Sequence, residues 1–106
     1  MPYRIFRHPS LEQDLFDIAD WIVDYAGVDA AERTIAEIED KILILADTPH
    51  IGSLRSDIYQ GLRAISVGRK GVVTFVVDED ERTVLIVSVT YASADWVGRM
   101  RSKKTE

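Results

Sequence analysis

The sequence predicts an α+β domain in the order β-α-α-β-β-β, in which a helical hairpin covers one face of a mainly antiparallel sheet. Two observations support this fold class. Apolar residues recur twice at helical spacing in the first half of the chain, and three short apolar segments separated by turn residues follow in the second half. Because 106 residues suit one domain with one core, we expect residues 1–106 to form a single domain, with 97–106 as a basic tail.

The first elements are a short strand and a helix. The segment YRIF at residues 3–6 has the length of one strand. Ser10 and Gln13 have the spacing of a capping box, which predicts a helix start. The apolar residues that follow fall within one arc of a helical projection, and Gly27 is expected to end the helix. The stripe consists of Leu11, Leu15, Ile18, Ala19, Ile22, Tyr25 and Ala26.

A second helix is predicted directly after the first. Asp29 and Glu32 repeat the capping-box spacing, and the connection of two or three residues requires an antiparallel hairpin. The second stripe consists of Ala31, Ile35, Ile38, Ile42 and Leu45. Thr48-Pro49 is expected to end this helix, and residues 50–61 are expected to form a loop or a frayed helical turn.

Three strands are predicted in the second half. They are LRAISV (62–67), VVTFVV (72–77) and TVLIVSVTY (83–91). The glycines of GRKG suit a tight turn between the first two strands. The third strand is apolar on both faces, which is typical of a central strand.

Composition excludes several classes of protein. The absence of cysteine rules out disulfides and thiolate zinc sites, and no apolar run approaches the ~18 residues of a membrane span. MPYRIFRHPS lacks the apolar core of a signal peptide, so a soluble cytoplasmic protein is expected. The net charge of −5 argues against general nucleic-acid binding, although residues 10–50 carry eleven acidic and only two basic side chains. His8 and His50 are far apart and have no companion ligands, so no metal or other cofactor is expected.

Four segments in a fixed order resemble the ParE branch of the ParE/RelE superfamily of bacterial toxins. They are LEQDLFDIADWIVDYAG, DAAERTIAEIEDKILILADTPHIG, GLRAISVGR and the last strand with its ADW ending. The resemblance implies a toxin of a type II toxin–antitoxin pair, neutralised by a ParD-like antitoxin through which alone it would contact specific DNA. It also implies DNA gyrase as the target. The alternatives are a RelE-like ribosome-dependent mRNA endonuclease and a degraded toxin that only binds its antitoxin.

RNA cleavage of the RelE type requires cationic and acid–base side chains around the phosphate. The strand VVTFVV offers no cation, and the segment VTYASADW (89–96) departs from the family pattern His-Gly-Ala-Arg-Asp-Trp. Tyr91 takes the histidine place and Ala94 the arginine place, whereas Asp95 and Trp96 are kept. Ser93 has no histidine close to it in sequence. We therefore predict no catalytic residue, and expect Tyr91 to cap the sheet and Trp96 to cover the end of the core.

The expected function is therefore binding, and two groups of residues are candidates for the antitoxin. Phe16, Trp21 and Val23 lie off the main stripe of the first helix. They predict either a wide buried face or a docking groove for an amphipathic helix of the antitoxin. Arg63 and Arg69 predict an anion-facing patch that binds the antitoxin or the target, or a pair of arginines held by helix carboxylates.

The end of the chain is strongly basic. We expect it either to solubilise the protein or to form, together with Arg63 and Arg69, one cationic surface for the target. The basic residues of the tail are Arg99, Arg101, Lys103 and Lys104.

Overall fold

The fold is given by a computed structural model, which describes residues 2–92. The elements are β1 (Arg4–Arg7), α1 (Leu11–Ala26), α2 (Val28–Ile44), β2 (Ser53–Leu54), β3 (Leu62–Val67), β4 (Gly71–Asp78) and β5 (Thr83–Tyr91). The predicted α+β class is confirmed. The structure adds one strand, because the predicted loop at 50–61 contains the two-residue β2 paired antiparallel with β3. Neither described helix is long and apolar enough to cross a membrane.

The five strands form one sheet in the order β1-β5-β4-β3-β2. The strands β2 to β5 pair antiparallel with their neighbours, whereas β1 runs parallel to β5. The predicted central position of the last strand is confirmed, since β5 lies between β1 and β4. This position explains why β5 is apolar on both faces.

The main core lies between the helical hairpin and one face of the sheet. Its fully buried side chains include Leu11, Ile38 and Ile42 from the helices and Val73, Phe75, Val84, Ile86 and Val89 from the strands. A smaller cluster consists of Ile58, Leu62 and Val87. Because side chains alternate along a strand, Leu62 and the core residue Val67 of β3 point to opposite faces of the sheet. The sheet therefore buries apolar side chains on both faces.

The two predicted capping boxes are wrong, although both helices form. The Ser10 hydroxyl lies 2.8 Å from Nδ1 of His8 and makes no cap to the helix. The Gln13 amide donates to Asp17 at 2.7 Å instead of returning to the helix start. Local side-chain hydrogen bonds thus replace the first box.

The second box fails because the hairpin connection is shorter than predicted. Gly27 alone joins α1 to α2, with a φ of +94° that favours glycine. Since α2 already begins at Val28, Asp29 lies inside its first turn and cannot be its cap. The antiparallel packing of the two helices is confirmed.

Candidate functional site

An apolar groove runs between α1 and α2, with a volume of about 460 Å³. Its lining residues are Ala19, Val23, Val28, Ala31, Glu32, Ile35 and Ala36. The three alanines leave a depression between the helices because their side chains are short. Glu32 is the one charged residue among these seven, so the groove suits an apolar ligand. We call this set the helical groove.

Phe16 extends the helical groove along α1. Phe16, Ala19 and Val23 are spaced three and four residues apart, so they lie on one face of the helix. The Phe16 side chain is 65% exposed, and Val23 and Val28 are also exposed. Large apolar side chains gathered at one exposed groove are typical of an interaction surface.

Trp21 does not belong to this groove. At 3.6 residues per turn it lies about 140° around α1 from Phe16, and nearly opposite Val23. Its ring packs against Tyr25 and Tyr91, with centroid distances of 4.5 and 5.9 Å. The structure thus divides the predicted trio: Phe16 and Val23 lie at the helical groove, and Trp21 lies on the flank of α1 that faces β5.

The structure does not bring Arg63 and Arg69 together. Arg63 lies near the start of β3 and Arg69 lies just beyond its end, so a strand rise of ~3.3 Å per residue separates them by roughly 20 Å. Arg63 donates from Nη2 to the carbonyl oxygen of His50 at 2.6 Å, and its buried Nε has no hydrogen-bond partner. It therefore holds the loop after α2 rather than a carboxylate of either helix.

Arg69 is exposed in the turn between β3 and β4 and lines a depression with Glu37, Lys70 and Tyr91. Gly71 of β4 pairs with Tyr91, the last residue of β5. Arg69 and Lys70 therefore lie close to the end of β5, whereas Arg63 lies further along the sheet. A cationic surface shared by both predicted arginines would have to span most of β3.

Several predicted residues lie outside the described part of the chain. Ser93, Ala94, Asp95 and Trp96 follow the last described residue, and so do the tail residues Arg99, Arg101, Lys103 and Lys104. Their predicted roles stay predictions.

Tyr91 packs against the main core, as predicted for a residue that caps the sheet. Burial raises its pKa above the ordinary value of 10.0, and the neighbouring Tyr25 raises it further. A general acid or base works best with a pKa close to the operating pH. The pKa of Tyr91 is instead raised, which moves it further from neutral pH.

A polar cluster at the surface joins three segments that are distant in sequence. The Tyr3 hydroxyl donates to Oε2 of Glu79 at 2.6 Å, and the other carboxylate oxygen of Glu79 contacts Nε2 of His50. The Tyr3 hydrogen bond, followed by that of His50, lowers the Glu79 pKa. Sequence reasoning missed this cluster because its members are up to 76 positions apart. Within residues 2–92, no group of histidine and acidic side chains has the arrangement of a metal site.

The α2 wall of the helical groove was also missed. Val28 and Ala36 lie outside the predicted stripe of the second helix. Ala31 was assigned to the core, in which it is indeed buried, but it also floors the groove. The sequence does contain a signal for this wall, because Val28 lies seven residues before Ile35 and therefore on the same face of the helix. In the structure Val28 is exposed.

Comparison with known structures identifies the fold. The chain is similar to a protein in the chromosomal ParDE toxin–antitoxin system from P. aeruginosa, with 18% identity, a TM-score of 0.73, and coverage of 86% of this chain and 97% of the other. A mutant of the E. coli toxin RelE in the free state gives 15% identity, a TM-score of 0.69 and full coverage of both chains. The RelBE2 toxin–antitoxin complex from Mycobacterium tuberculosis gives 17% identity, a TM-score of 0.61, and coverage of 86% and 99%.

The family of the chain is identified from its sequence. A search of curated proteins gave no match. Residues 5–96 match the sequence profile of the ParE toxin of the type II toxin–antitoxin system parDE, which spans both helices and all but the first residue of the sheet. The chain therefore belongs to the ParE toxin family of type II toxin–antitoxin systems.

Proposed function

We propose that the protein is a toxin that acts by binding, with DNA gyrase as its target, and that a ParD-like antitoxin neutralises it. The proposal that an antitoxin binds this protein rests on the helical groove. It is long, apolar and exposed, and Phe16 extends it along α1. An amphipathic helix is the ligand that such a groove accepts, with apolar side chains spaced at one helical face.

The charges around the groove restrict the sequence of that helix. Glu32 lies on its rim, and the segment 10–50, which includes both helices, carries eleven acidic and two basic side chains. Like charges across an interface disfavour association, and opposite charges speed it. The antitoxin helix should therefore present large aliphatic side chains to the alanine floor and lysine or arginine at its flanks.

Two observations favour binding over RNA chemistry. The side chains of β4 from Val72 to Val77 are uncharged, so this central strand supplies no cation for a phosphate. Tyr91 has a pKa that burial raises, and it packs against the main core that the helical hairpin covers. Both features support a toxin without catalytic residues of the RelE type.

The test of the groove uses a charge placed in it. Val23→Asp puts a carboxylate on the wall of the groove, where a docked apolar helix would bury it without a partner. A ParD-like antitoxin co-expressed with this variant should no longer co-purify with it or relieve growth arrest. Leu54→Asp is the matched control, because Leu54 is an exposed apolar residue of β2 on the sheet.

In the control, binding and neutralisation should be retained. Both variants should unfold at the temperature of the unaltered protein, since each side chain is exposed. If Val23→Asp still co-purifies with its antitoxin at full yield, the groove is not the docking site.

A further inference from the structure

A second, smaller pocket lies between α1 and β5, apart from the helical groove. It is lined by Asp14, Asp17, Ile18, Trp21, Val89 and Tyr91, and its volume is about 120 Å³. A water molecule takes up about 30 Å³ of liquid, and pockets for drug-sized ligands begin at about 300 Å³. This pocket is therefore the size of one side-chain head group. We call it the acidic aromatic pocket.

Two aromatic rings form one side of the pocket. Trp21 and Tyr91 have centroids 5.9 Å apart, and their planes meet at 64°. Trp21 is 46% exposed although it is the largest side chain on α1. The face of an aromatic ring attracts cations, and that of tryptophan does so most strongly. Trp21 thus offers a cation-binding surface that the helical groove does not use.

The same aromatic cluster already holds one cation of this chain. The ring of Tyr25 packs on Trp21 at 4.5 Å, and the ammonium of Lys70 lies 5.8 Å from the Tyr25 centroid. This contact lies on Tyr25, beside the pocket, because neither Tyr25 nor Lys70 lines the pocket itself. The cluster of Trp21, Tyr25 and Tyr91 therefore already contacts one positive group, and it does so through Tyr25.

Carboxylates complete the pocket. Asp17 is exposed and accepts one hydrogen bond from Gln13 at 2.7 Å, on Oδ1. A carboxylate has about four acceptor sites on its two oxygens, so Asp17 can accept further donors. Asp14 lies deeper, at 7% exposure, and accepts the backbone N–H of Val89 at 3.3 Å. No cationic side chain is among the described residues that line the pocket.

We propose that the acidic aromatic pocket binds an arginine side chain presented by a protein partner. The guanidinium is planar, so it can stack on Trp21 while its N–H groups reach the carboxylate of Asp17. Lysine has no planar group to stack, and a phosphate or carboxylate ligand would meet only like charge. The chemistry of the pocket selects arginine, whichever protein partner supplies it.

Binding is measured with a small probe on the full-length protein. N-acetyl-L-arginine amide is titrated while the indole N–H signal of Trp21 is followed by NMR, with Trp96→Phe used to assign that signal. N-acetyl-L-citrulline amide is the matched control, because it keeps the shape of arginine and lacks its charge. We expect a saturable shift in the millimolar range for the arginine derivative, and an affinity at least about fivefold lower for the citrulline derivative.

Two aspartate variants localise the site. Asp17→Asn should weaken binding of the arginine derivative about fivefold or more, because it removes the charge that faces the guanidinium. Asp20→Asn removes another exposed charge of α1 that does not line the pocket, and binding should be unchanged. Equal shifts with the arginine and citrulline derivatives would overturn the proposal. The same holds if Asp17→Asn binds as tightly as the unaltered protein.

The competing occupant is the basic tail of this chain. A full-length variant with glutamine at the four basic positions of the tail, 99, 101, 103 and 104, tests it. If the unaltered protein does not bind the arginine derivative and this variant does, the pocket belongs to the tail and the partner proposal is wrong. If both bind alike, the pocket is open to a partner.

Discussion

Truncation of Phe16 gives a worked estimate of what the helical groove contributes. An aromatic side chain has about 200 Å² of surface. At 65% exposure, Phe16 offers about 130 Å² to a partner, which at ~25 cal/mol/Å² amounts to about 3 kcal/mol if fully covered. Half of that coverage corresponds to about 1.6 kcal/mol, or roughly 15-fold in Kd. Phe16→Ala should therefore weaken antitoxin binding between about 15-fold and about 200-fold.

The assay is a titration of purified toxin with its antitoxin by calorimetry, accompanied by thermal unfolding of the free toxin. The unfolding temperature should be nearly unchanged, because Phe16 is mostly exposed in the free protein. Phe6→Ala is the matched control, since Phe6 is also half exposed but lies on β1. It should leave the affinity unaltered.

Two results would refute this reasoning. Affinity within about twofold of the unaltered protein would mean that the partner does not cover Phe16. An equal loss of affinity in Phe6→Ala and Phe16→Ala would mean that the effect is not specific to the groove.

Three further predictions follow from other parts of the molecule. Trp21→Ala should leave antitoxin binding within about twofold, because Trp21 lies outside the helical groove, and should lower the unfolding temperature, because its ring packs on Tyr25 and Tyr91; a tenfold loss of affinity would mean that the antitoxin also covers this flank of α1. Truncation after Trp96 should reduce toxicity in a growth assay while antitoxin binding persists, and full toxicity would exclude the basic tail as a target surface. Glu79→Gln should lower the unfolding temperature at neutral pH, because the pKa of Glu79 is lowered in the folded protein. The stabilisation by the Glu79 carboxylate is present above the ordinary pKa of 4.5 and disappears as the pH falls through the lowered pKa. A difference between the two proteins that persists below that pH would contradict the assignment.

The sequence was sufficient for the fold class because periodicity reports burial directly. Leu11, Leu15, Ile18 and Ile22 of the predicted stripe are buried in α1, and the three predicted strands correspond to β3, β4 and β5. The prediction is wrong for the end of the stripe, where Tyr25 and Ala26 are exposed, and Ala19 is only partly buried because it lines the helical groove. Periodicity carries no information about pairing between distant segments. It therefore missed β2, whose two residues are stabilised by their ladder with β3, and the parallel pairing of β1 with β5.

The positions of Phe16 and Val23 off the apolar stripe predict one line on α1, and both residues are exposed there. The same helical arithmetic places Trp21 on another flank. The far wall of the groove could not be read from the first helix, since it depends on how Gly27 turns α2 against α1. Arg63 and Arg69 both belong to the predicted strand hairpin, but the extended strand β3 keeps them apart.

We propose that this ParE-family toxin acts on DNA gyrase by binding and does not cut RNA. The most direct measurement is induction of the toxin in cells without an antitoxin, with DNA breaks and cleavage of messenger RNA scored in the same cells. A toxin that acts on gyrase by binding should produce DNA breaks and leave transcripts intact at the ribosomal A site. Discrete cuts in transcripts at the A site that disappear in Tyr91→Phe, with the chromosome unbroken, would contradict it.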